Sequence, residues 1–167
     1  MDSSAEIIKK FEAAGIACER TESSKFGYDI KVSLVSDNVR PFATLMLESG
    51  FYLVYVAGFH VSPFMKVVYE MASFESGVRV LAMADASKDN TVPTISDIYH
   101  GASWHERETR DFFGIVFDGN PDMRPLLLMD TDVDFHPLLK NEGQLKSVES
   151  VTWAPEPEKK VAETPAS

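Results

Sequence analysis

Residues 102–128 read ASWHERETRDFFGIVFDGNPDMRPLLL, and this stretch decides how the chain is organised. Ser103-Trp104-His105-Glu106 has the form of a capping box, so a helix is expected to begin at Ser103. On a helical wheel Trp104, Glu108, Asp111, Phe112 and Ile115 share about one third of the circumference, placing two carboxylates beside a tryptophan. Glu106 and Arg110, and Arg107 and Asp111, are spaced for pairing one turn apart. Gly114 supplies the stop. A buried carboxylate without a donor costs several kcal/mol. Glu108 and Asp111 therefore need partners, from Arg107 and Arg124 or from another polypeptide. The helix is either a solvated face laced with ion pairs or a face that meets another surface.

Upstream, the pattern is that of a sheet with helices. Ser3 and Glu6 form a first capping box ahead of Ile7, Ile8 and Phe11, and Gly15 ends that helix. Tyr28–Leu34 alternates apolar and polar, as a half-buried strand does. Asn38 is a candidate N-cap, with Pro41 in the first turn and Phe42, Leu45 and Met46 as the inner stripe down to Gly50. Phe51–Val56 is apolar on both faces and is expected to be a central strand. Phe64–Met71 fits either periodicity, but Glu75-Ser76-Gly77 looks like a hairpin turn into Val78–Met83, which favours a strand. Ser87–Asn90 reads as a polar loop and Thr94–Tyr99 as a short helical turn. The expected fold is α+β, a small mixed sheet with helices packed on one face and an extended C-terminal segment. Residues 1–140 form the domain (1–92 the sheet part, 93–140 the charged helix and extended segment). Residues 141–167, rich in Pro, Glu, Ala and Lys, read as a disordered tail with Trp153 as its anchor.

Composition narrows the chemistry. The 167 residues carry a formal charge of −10, which disfavours nucleic acid. A single cysteine, Cys18, forbids an internal disulfide and a thiolate cluster. The N-terminal residues lack a basic-then-apolar leader, and no apolar run approaches the roughly 20 residues of a bilayer span. Asp130-Thr131-Asp132-Val133-Asp134 resembles the start of a calcium loop, but Phe135 stands where that loop needs glycine, so no metal site is expected. No phosphate-binding glycine loop accompanies the carboxylates. A free-standing acidic enzyme using Glu108 and Asp111 is the alternative of another class.

Trp104-His105-Glu106-Arg107-Glu108, Asp111, Phe113-Gly114-Ile115, Phe117, Gly119, Pro121-Asp122-Met123-Arg124 and Leu126-Leu127 together resemble one family signature. It is that of the 30 kDa subunit of respiratory complex I (NADH dehydrogenase) and its relatives in energy-converting NiFe hydrogenases. The resemblance covers about residues 5–140. Asn120 replaces the family's usual His and Pro125 its second basic residue. His136-Pro137-Leu138 keeps part of the respiratory continuation, while the residues after it depart. These departures lean toward the hydrogenase branch, with NADH:quinone oxidoreductase as the alternative.

The resemblance implies a non-catalytic subunit of an electron-transport complex, on the cytoplasmic side of a membrane and reaching it only through partners. The implied partners are a hydrogenase-like large subunit and a small iron–sulfur subunit. This chain would hold no cofactor, and iron–sulfur, flavin or nickel centres would belong to those partners. Docking would fall to Glu106, Arg107, Glu108, Asp111 and Arg124 as polar contacts. Trp104, Phe112 and Phe113 would be apolar anchors, with Gly114, Pro121, Asp122, His136 and Pro137 completing the surface.

Overall fold

The computed structural model describes residues 3–132 and 134–140. Helix α1 (Ser3–Ala13) leads into the short strand β1 (Ala17–Arg20), one helical turn α2 (Ser23–Phe26) and strand β2 (Ile30–Leu34). A 3-10 turn precedes α3 (Val39–Glu48), and β3 (Tyr52–Phe59), β4 (Lys66–Ala72) and β5 (Arg79–Asp85) follow. The five strands lie in the order β1-β2-β5-β4-β3, with β2 parallel to β5 and the other pairs antiparallel. α1 and α3 pack on one face, as the periodicities imply, while Phe26 of α2 meets the other. Phe11 of α1 and Phe42 and Met46 of α3 meet Val32, Val67, Tyr69, Val80 and Ala82 in one core.

Several expectations are corrected. Phe51–Val56 is not a central strand: β3 lies at the sheet edge, and β5, buried along five consecutive residues, holds the middle. β3 is apolar on both sides because Val56 joins the helix-side core while Tyr55 and Phe59 serve the opposite face. Asn38 occupies the N-cap of α3, but its side chain makes no capping bond because the 3-10 turn already supplies the entry. The Ser3 cap lies outside the described side chains. β1 carries no alternation, Ala-Cys-Glu-Arg, and is recognisable only from its pairing with β2.

The hairpin forms where Gly77 stands, at φ +68°, between β4 and β5. Residues 94–99 make a single turn closed by the Tyr99 amide donating to the Ile95 carbonyl at 2.8 Å. Strand β6 (Thr91–Pro93) then α4 (Ala102–Phe113) and β7 (Val116–Asp118) follow, and β6 and β7 pair in parallel. This ladder straddles the 92/93 division, and Ile95, Tyr99, Ala102, Ile115 and Phe117 share the sheet's core. The tail from 141, Trp153 included, lies outside the described residues.

Candidate docking site

α4 is placed by a close approach. Gly58 faces it from β3, and a Cβ there would sit 2.6 Å from the Phe113 ring and 3.0 Å from the Thr109 methyl. A lone glycine inside an apolar strand run is the sequence mark of such an approach, and periodicity alone does not reveal it. The helix begins at Ala102 with Gly101 as N-cap and no side-chain cap, so the Ser103 capping box does not form. Its Glu106 turns inward instead.

The buried residues of α4 are Ala102, Glu106, Thr109 and Asp111, which is not the face that the wheel selects. Trp104 is 65% exposed. It lies under the Arg107 guanidinium, 5.9 Å from the ring centre. Glu106 is fully buried, yet it does not pair with Arg110. It accepts the Thr94 hydroxyl at 2.5 Å, the Ile95 amide at 2.9 Å and the Asn120 side-chain amide at 2.7 Å. Ser96 supports Thr94 through its amide, 3.1 Å away, and its hydroxyl, 2.8 Å away. Burial raises the Glu106 carboxyl above its ordinary value, and the three donors oppose that rise without cancelling it. Asn120, the residue that stands where the family signature has a His, is thus one of the three donors to this carboxyl.

Asp111 is held in another way. Its Oδ2 accepts the backbone amides of Leu126 and Leu127 at 2.8 Å and of Leu128 at 3.2 Å, so the chain after the Pro-Asp-Met-Arg turn curls round the carboxylate. Burial pushes this carboxyl up, but the three amides outweigh it and the group ends below its ordinary range. Arg107 does not pair with Asp111. It donates to the carbonyls of Arg124 at 2.9 Å and Pro125 at 2.8 Å, and lies 3.6 Å from Asp122. Asp122 pairs with Arg124, whose guanidinium beside it holds the carboxyl well below the usual range.

The segment then returns to the helix end. Gly114 has φ +70°, and a Cβ there would meet the His136 ring at 2.8 Å. The His136 Nδ1–H donates to the Asp111 carbonyl at 2.9 Å, and the Leu138 amide to the Phe112 carbonyl at 3.1 Å. Two of the expected polar docking residues, Glu106 and Asp111, are therefore turned into the chain at 0% and 2% exposure. They shape the surface from beneath. Phe113, half-buried, covers Gly58, and Phe112, Gly114, Asp122 and Glu108 are likewise half-buried. Trp104, Pro121, Arg124 and Pro137 stand outside, joined by Leu127, Met129, Phe135, Leu138 and Leu139, none of them among the expected docking residues. With Asp111 enclosed by amides, it and Glu108 do not form an open carboxylate pair.

The fold and this arrangement define an α+β scaffold: a sheet core that carries a hydrogen-bonded arm with an apolar outer surface. Residues 32–147 match the family of the respiratory-chain NADH dehydrogenase 30 Kd subunit, and the chain belongs to that family. A subunit of the NADH-quinone oxidoreductase of Phenylobacterium zucineum is 42% identical over 77 residues, covering 45% of this chain and 35% of that protein. The chain thus matches about a third of the length of that relative. Among solved structures, a trypsin-resistant fragment of Nqo5 superposes with a TM-score of 0.60 at 26% identity, covering 71% of this chain and 97% of that one. A chain of the archaeal membrane-bound sulfane sulfur reductase superposes with a TM-score of 0.69 at 27% identity, covering 80% and 82%. No helix among the described residues is long and apolar enough to cross a membrane.

Proposed function

We propose that the chain is a non-catalytic structural subunit of a membrane-associated respiratory complex, equivalent to the 30 kDa subunit of an NADH:quinone oxidoreductase. The observation that carries this reading is the arm. Leu127 (58% exposed), Met129 (69%), Phe135 (60%), Leu138 (49%) and Leu139 (41%) are apolar and outward, on an arm tied down by the Asp111 carboxylate at Leu126–Leu128 and by His136 and Leu138 at the end of α4. Apolar residues so displayed mark a protein interface, and the partner proposed for it is the hydrogenase-like large subunit, with the small iron–sulfur subunit beside it. Redox cofactors would then sit in those partners, and this chain would reach the cytoplasmic membrane surface only through them.

The NiFe-hydrogenase reading that Asn120 and Pro125 favour is the weaker one, because the family match and the Phenylobacterium relative support the quinone-reductase type. Purification of a tagged chain from its native host tests the docking reading. Leu127→Asp with Leu138→Asp is expected to lose the large subunit while the melting temperature of the isolated chain stays put. Undiminished co-purification, or turnover of NADH by the isolated chain, would overturn it.

A further inference from the structure

Two histidines tie the end of the arm to the domain, and they ask opposite things of the imidazole ring. His136 Nδ1 lies 2.9 Å from the Asp111 carbonyl. A carbonyl oxygen only accepts, so this nitrogen carries a hydrogen. Further along, the Lys140 amide donates to Nδ1 of His60 at 3.0 Å. A backbone amide only donates, so here Nδ1 is bare and the ring hydrogen sits on Nε2. Neutral imidazole serves both ties, in its two tautomers. The imidazolium, with hydrogens on both nitrogens, serves only the first.

His60 belongs to the domain side of this contact. It directly follows Phe59 of β3 and lines a hollow with Met65, Ser87, Lys88 and Asn90. The walls of that hollow are fixed, since the Ala86 amide donates to the Met65 carbonyl at 2.8 Å and the Val116 amide to the Asn90 carbonyl at 2.9 Å. The charges around the ring are Lys140 on the arm, Lys88 and Asp89 on the loop after β5, and Lys66, which stands opposite Phe59 on β4 and is engaged by Asp85 of β5. Partial burial and then the Lys140 charge disfavour the imidazolium and set His60 below its ordinary value.

We propose that His60 is a proton-operated latch on the end of the arm: neutral, it holds Lys140 against the domain, and protonated at Nδ1 it lets the chain go at Lys140 while the ties at His136 and Leu138 stay made. A hydrogen on Nδ1 would face the Lys140 N–H, replacing a bond by two opposed donors. At His136 a second ring proton costs the bond nothing, because a charged donor binds a carbonyl more strongly. The Leu138 amide, bonded to the Phe112 carbonyl at 3.1 Å, involves no titrating group and marks where release stops. Since folding lowers His60, the contribution of the latch is whole above the ordinary 6.5 and is lost as pH falls through the lowered value. Its consequence for presenting Leu138 and Leu139 to a partner rests on the docking reading, but the latch itself is a property of this chain alone.

The full-length chain, labelled with 15N, tests it. Long-range 1H–15N spectra of the rings are expected to show, above neutral pH, His60 bare at Nδ1 and His136 protonated there. As pH falls, the Lys140 amide proton is expected to move upfield with the midpoint of His60 itself, while the Leu138 amide holds. That midpoint should lie below the one His60 shows in the chain unfolded by urea. His60→Gln, whose side-chain carbonyl accepts but does not titrate, should leave the Lys140 amide insensitive to pH over that range. If the variant does not fold, the ring spectra and the two midpoints decide alone. A hydrogen on His60 Nδ1 above neutral pH overturns the proposal. So does a Lys140 amide that ignores the His60 midpoint or still titrates in the variant, or a Leu138 amide released in step with Lys140. No partner subunit enters these measurements, so their failure is distinct from failure of the docking reading.

Discussion

Strands β2, β4 and β5 are held by apolar burial, with Val32, Val67, Met71, Val80 and Ala82 at 0% exposure. Residues 119–140 are held largely by hydrogen bonds, among them those of two buried carboxylates. Glu106 and Asp111 each gather three donors from segments distant in sequence. Apolar burial is non-directional and tolerates some repacking, whereas a buried carboxylate demands each donor in place. The contrast suits a sheet that only has to exist and an arm that has to hold one shape.

The largest effect is expected in the sheet. Phe42→Ala should lower global stability by about 3–5 kcal/mol through cavity formation, read as a shift of the whole urea unfolding curve. If the arm alone loosens, the two regions are not separable. Glu106→Gln comes next, because one of its two groups becomes a donor facing donors. It should cost about 1–3 kcal/mol, with hydrogen-exchange protection lost first around residues 94–96 and 120. Asn120→His should keep that protection if donation to Glu106 is what the position requires. Gly114→Ala forces a side chain into a left-handed conformation and against His136, and should cost about 1–3 kcal/mol, read as faster exchange at residues 136–140. Arg124→Ala should leave the melting temperature unchanged, since its pair with Asp122 is exposed, while co-purification of the large subunit weakens.

Acid sharpens the same comparison. Asp111 titrates below its ordinary 3.8 in the folded chain, so its stabilisation is present above that value and is lost as pH falls through the lowered one. Glu106 is raised above 4.5, so its contribution is complete below that value and fades as pH rises through the raised one. Acidification should therefore release Leu126–Leu128 before it disturbs the 94–96 turn. Amide exchange followed down through strongly acidic pH distinguishes the two, and simultaneous release would refute separate anchoring.

Strands β2, β4 and β5, the three long helices and the glycine stops are legible because each depends on neighbours along the chain. The wheel fails on α4 for a physical reason. It assumes that the apolar stripe faces inward, but this helix lies over the Thr94–Ser96 turn, where the buried partner must be polar. The Ser103–Glu106 capping box misleads on the same ground: a buried hydroxyl and amide compete for the carboxylate and win over its own helix terminus. Gly58 is a readable signal, and Thr94, Ser96 and Asn120 are not, since nothing local distinguishes a buried polar residue from a solvated one.

The sequence by itself determined the α+β class, the helix-bearing face and the family, because periodicity and a long spaced motif are written in consecutive residues. Tertiary structure alone decided that β3 is an edge strand, that Glu106 and Asp111 work inside the chain, and which side chains remain outside on the arm. Those outcomes rest on hydrogen bonds between segments far apart in the chain, and their partners are fixed only when the fold brings them within reach.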